Sequence, residues 1–252
     1  MTTVITREIA EKVRDTVDAG LVSGIGKPTL GQMCVEAAVC FALGLPHGDD
    51  PGCVSPALRR LKIGLNDRDW SSKAARAAGL RRLAVAQLGS AGVLDDREFI
   101  RRVVDMTIRK SVPAALRAAA ASSAPACFGL TAAARCASEG TRDACYHARD
   151  VAREARAAAA AYADAAAAAY ADAAAAAAAA AAAYAAAAAY ADADAYADAY
   201  AAAAAAADAA ADAYAAAARD KSLAAYAEWV VEILIDMKAP GCEWLDLVPV
   251  AA

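Results

Sequence analysis

From Thr141 to Ala239 the chain contains neither Gly nor Pro, and from Ala161 to Tyr200 it uses only Ala, Tyr and Asp. Ala has the highest intrinsic helix propensity, and nothing in this run signals a stop, so the segment is expected to be helical almost throughout. One straight rod of that length would reach roughly 150 Å at about 1.5 Å per residue, with very little to bury along it. A helical hairpin or arm is the expected solution, turning near YADADAYADAY, where Asp is densest and helix propensity lowest. Tyr162, Tyr170, Tyr184, Tyr190, Tyr196, Tyr200 and Tyr214 all occupy even positions, as do the Asp residues among them. A two-residue step turns about 200° on a helix, so these side chains visit every face and form no narrow stripe. The pattern reads as a repeat expansion held to helix formation and solubility. Its Tyr rings are the expected interaction residues, because they add rigid area with a hydroxyl between closely approaching Ala-lined backbones.

The rest of the chain is different in kind. Hydrophobic residues make up 60% of the sequence, but much of that is Ala, which buries little area per residue. The larger core formers gather in the first ~120 residues and the last ~30, as a buried core requires. The expected organisation is a helical head over 1–140, the Ala/Tyr/Asp arm over 141–218, and a C-terminal amphipathic helix and tail over 219–252 that docks on the head. Leu223, Tyr226, Trp229, Val230, Ile233, Leu234 and Met237 supply that helix with an apolar stripe. In the head, Thr6 before Ile9, Val13 and Val17, Ser71 or Ser72, and Asp95 or Asp96 read as N-caps, and Gly20 as a stop. Further helices are expected over 56–65, from Pro113 and from near Leu130. No segment reads as a strand, and the fold class expected is all-α: a compact multi-helix head with a long Ala-rich helical hairpin or arm.

Charge divides unevenly, with 21 Lys+Arg against 16 Asp+Glu in residues 1–150 and 5 against 14 in residues 151–252. A basic head and an acidic tail attract each other within or between chains. Residues 55–117 hold 14 Lys+Arg against 6 Asp+Glu, a surface that would draw nucleic acid. Their Arg pairs fall at the polar positions of amphipathic helices and no base-reading motif accompanies them, so they read as solvated faces. No stretch of about 20 strongly apolar residues occurs, and MTTVITREIAEKVRDTVDAG lacks an apolar centre; a soluble, cytoplasmic protein without a membrane partner is expected. Seven cysteines, an odd number, point to reduced thiols.

Side chains able to do chemistry concentrate between Gly31 and Asp67. Cys34 opens a helix, where the macrodipole favours a thiolate. With His47 as base and Asp50 or Asp49 orienting it, Cys34 would form a catalytic set. GQMC resembles the Gln-before-Cys arrangement of papain-like peptidases, although Gln32 stands closer to the Cys than in that family and His47 follows within a short loop. Cys34, Cys40, His47 and Cys53 also supply donors suited to zinc, but no Cys-x-x-Cys spacing is present. Cys34 and Cys40 lie about 240° apart on a helix, which leaves His47 and Cys53 as the metal candidates and no cofactor expected.

The block MCVEAAVCFALGLPHGDDPGCVSPALRRLKIGLND resembles a motif in uncharacterised bacterial and phage-borne proteins. In that motif Cys and Glu open a helix, an Asp-rich turn with Pro and Cys follows, and Asn-Asp closes the next helix. The resemblance covers residues 25–90, matches Cys34, Glu36, Asp50, Pro51, Cys53, Asn66 and Asp67, and implies a shared module without an activity. The function expected from the sequence is therefore a non-enzymatic structural or interaction protein that partners itself through the arm, as a homo-oligomer or filament. A Cys34-centred enzyme or small metal-binding module in the head is the competing expectation.

Overall fold

The computed structural model describes residues 4–122, 127–159 and 216–250. Among the described residues every regular element is a helix and no strand forms, so the fold is all-α. The Ala/Tyr/Asp run, its turn and the Tyr residues from Tyr162 to Tyr214 lie outside the described residues. The chain divides into two compact units, Met1–Phe99 with Leu223–Ala252, and Ile100–Ser222. The divisions fall inside two helices.

In the first unit, α1 (Arg7–Asp18) is capped by Thr6, whose hydroxyl accepts from Ile9 N, and it buries Ala10, Val13 and Val17. The second helix, α2 (Val35–Ala42), is apolar on most of its surface and starts from Cys34. Ser55 caps α3 (Pro56–Asn66), with Pro56 in the first turn, where a missing N–H costs nothing. Ser72 caps α4 (Lys73–Ala86), and Asp95 Oδ1 accepts from Arg97 N and Glu98 N at the start of α5 (Asp96–Met106). Helix α1 packs on α2 and α4.

The C-terminal part of α9 (Ala216–Asp236) and the 3-10 turn Pro240–Leu247 complete this unit, the turn packing on α1 and α4. Leu223, Tyr226, Val230, Ile233 and Leu234 are buried, with Trp229 and Met237 half-buried. Arg82 holds this segment by polar contacts, Nε to Glu228 Oε1 at 2.7 Å and Nη1 to the Val248 carbonyl at 2.7 Å. Arg7 reaches Asp246 at 2.6 Å. Gly241 permits the close approach: a Cβ there would lie 2.4 Å from the Val85 carbonyl oxygen.

The second unit is built on small residues. Helix α6 (Val112–Ser122) packs on α7 (Cys127–Glu139), and α7 on α8 (Arg142–Ala159). The chain runs from α5 through a π-turn, Thr107–Ser111, into α6 without a break. The helix begins before Pro113 rather than at it, for a physical reason. Pro113 has no N–H for the fourth carbonyl back and its ring crowds that carbonyl, so the widened turn takes up the strain. Buried Ala132, Ala133, Cys136, Ala144, Cys145, Ala148 and Ala152 fill the α7–α8 contact. Arg109 donates to the carbonyls of Ala137, Ser138 and Glu139, closing the C-terminal end of α7.

Candidate functional site

The side chains able to do chemistry meet in the first unit, where the loop between α1 and α2 folds over the start of α2 and the end of α3. Val22 N donates to the Met33 carbonyl at 3.0 Å, Lys27 N to Gln32 O at 2.7 Å, and Cys34 N to Ile25 O at 3.3 Å. The loop closes this tightly because Gly26 has a φ of 72° and a Cβ there would sit 2.0 Å from the Gln32 oxygen. Only glycine fits.

Two buried residues hold the loop in place. The Asn66 side chain accepts from Val35 N at 3.2 Å and donates to the Val22 carbonyl at 2.9 Å and to Asp67 Oδ1 at 2.8 Å. Asp67 Oδ1 in turn accepts from Gly24 N at 2.8 Å. Arg76, on α4, reaches the carbonyls of Asn66 (Nε, 2.8 Å), Leu21 (Nη1, 3.1 Å) and Arg68 (Nη2, 3.3 Å). One guanidinium thus joins the loop, the end of α3 and the start of α4, using donors in a planar fork that a lysine lacks.

A cavity of about 70 Å³ opens here. Its rim carries exposed Gly24, Ile25, Asp49 and Asp67, and its inner wall carries Cys34, Val35 and Asn66, with Ile63 half-buried beside them. Cys34 is 5% exposed and its Sγ accepts from Ala37 N at 3.3 Å, the N-cap role that a Ser would normally fill. The sequence expectation of a thiolate here is corrected by the structure. Burial pushes the Cys34 thiol up, and the amide hydrogen bonds at the helix start only partly oppose it. Cys40 is pushed up to about 12 by burial and by the nearby Glu36 charge, and Cys53 is raised by burial.

Sequence reasoning missed the ion pair. Glu36 on α2 and Lys62 on α3 are both fully buried, with Nζ 3.2 Å from Oε1. Their alignment falls short of a hydrogen bond, and Glu36 Oε2 has no partner. Burial raises the Glu36 carboxyl to about 7 despite the attraction of Lys62, and burial lowers Lys62. Two signals in the sequence point to the pair: an acidic residue inside the apolar run VEAAVCFA, and a lysine four residues after Leu58 on the buried face of α3.

The remaining candidates each have a partner of their own. His47 is exposed, and its Nε2 contacts the Gly26 carbonyl at 3.2 Å. Asp50 accepts from Gly52 N at 3.1 Å and pairs with Arg59 at 3.0 Å, so it shapes a turn. Cys53 is buried and its carbonyl accepts from Ala91 N. No group of three His, Cys, Asp or Glu side chains able to hold a metal occurs among the described residues. No helix among them is long and apolar enough to cross a membrane. The chain matches no protein-family model, no curated protein and no solved structure.

Proposed function

We propose that this chain is a non-enzymatic helical interaction protein that associates with further copies of itself through the Ala-rich segment over 141–218. The observation that carries the non-enzymatic part is the state of Cys34. Its sulfur is occupied as a helix cap, burial pushes its thiol pKa up rather than down, and the partner of His47 is a backbone carbonyl. A cysteine nucleophile needs the opposite: a lowered pKa and a base within hydrogen-bond reach. Self-association rests on the sequence, where Ala-lined helices bury too little area to be held strongly by a single partner face.

Light scattering across a salt series tests the association at micromolar concentration. The expected mass exceeds the 25.5 kDa of one chain and falls as salt screens the attraction between basic and acidic halves. A monomer mass at every salt concentration removes the self-association reading. Iodoacetamide labelling tests the rest: Cys34 is expected to react no faster than the other thiols near neutral pH, and a Cys34 rate far above them would favour the enzyme reading.

A further inference from the structure

We draw no further inference here: the strongest candidate, the surface patch of exposed Ile25, Phe41 and Leu45 where the α1–α2 loop meets the end of α2 beside the His47–Gly26 contact, carries nothing because nothing in the structure shows what covers it.

Discussion

The two compact units hold helices together by different means. In the first, buried or half-buried polar side chains reach far along the sequence: Asn66 to Val35 and Val22, Arg76 to Leu21, Arg82 to Glu228 and Val248. In the second, alanines fill the contact between α7 and α8, and besides the Arg109 guanidinium at the end of α7 the polar anchors named there are short in sequence, as with Thr141 to Ala144. A buried polar group tolerates only the arrangement that satisfies it, whereas an alanine face fits many. The first unit therefore derives its uniqueness from several buried polar groups, and the second mainly from close packing with one guanidinium anchor, Arg109.

The largest test of that contrast is the buried ion pair. Lys62→Ala removes the counter-charge that opposes protonation of Glu36, and above about pH 7, where burying the carboxyl must then be met by protonation or an unpaired charge, it should cost about 3–5 kcal/mol in chemical denaturation. Replacing both residues with apolar side chains of similar volume, Glu36→Leu with Lys62→Met, should come within about 1 to 2 kcal/mol of the natural chain. A small loss from Lys62→Ala alone would mean that the pair is not what fixes α2 on α3.

The same pair gives a pH signature with a definite sign. Burial raises the folded Glu36 pKa to about 7, above its ordinary value of 4.5. Between these values the folded state binds more proton than the unfolded state, so stability from this group is full below about 4.5 and declines as pH rises to about 7. The loss is at most about 3 kcal/mol. Glu36→Gln should abolish that decline, and melting temperatures of the two proteins compared between pH 5 and 7 measure it. If both chains show the same slope, Glu36 is ionised throughout.

Next in size is Asn66→Ala, which strands the Val35 N–H and the Val22 carbonyl and should cost about 1–3 kcal/mol. The loop that carries Gly24 should lose hydrogen-exchange protection at the same time. Between α7 and α8 of the second unit, where buried alanines and cysteines fill the contact, a change of that kind has no counterpart; the long-range polar anchor of that unit is Arg109 at the end of α7.

These contrasts also explain what the sequence made legible. Caps and stops are local chemistry, so Thr6 and the pairs Ser71 or Ser72 and Asp95 or Asp96 could be read directly from spacing, the structure choosing Ser72 and Asp95, and so could the all-α class and the buried stripe of α9. Cys34 was legible as a helix opener, but the upward push on its thiol was not, because desolvation depends on what covers the residue and the local dipole does not report that. Lys62 and Arg76 read as parts of a basic surface, yet both are buried. Their burial is decided by partners 26 and 55 residues away, Glu36 and Leu21, which no local window contains. Pro113 as a helix start failed for a related reason: the chain absorbs it in a wider turn that propensity does not anticipate.

The smallest effect separates the units most finely. Ser72 and Thr141 are both N-caps, accepting from Ala75 N at 3.0 Å and from Ala144 N at 3.1 Å. By local chemistry alone, Ser72→Ala and Thr141→Ala should each cost about 1 kcal/mol. Helix α4 is tied elsewhere by Arg76 and Arg82, so its first turn cannot open without disturbing contacts to distant segments. The start of α8 has Thr141 and the Thr141–Glu139 contact at 3.2 Å, with alanines behind it. Loss of the Thr141 cap should therefore appear as local opening, with amides in the first turns of α8 exchanging about fivefold faster, the factor that ~1 kcal/mol corresponds to. Loss of the Ser72 cap should appear instead as a fall in the stability of the first unit, with exchange at the start of α4 rising no more than in the rest of that unit. Equal local exchange responses at the two caps would break the comparison, since both units would then be anchored to the same degree.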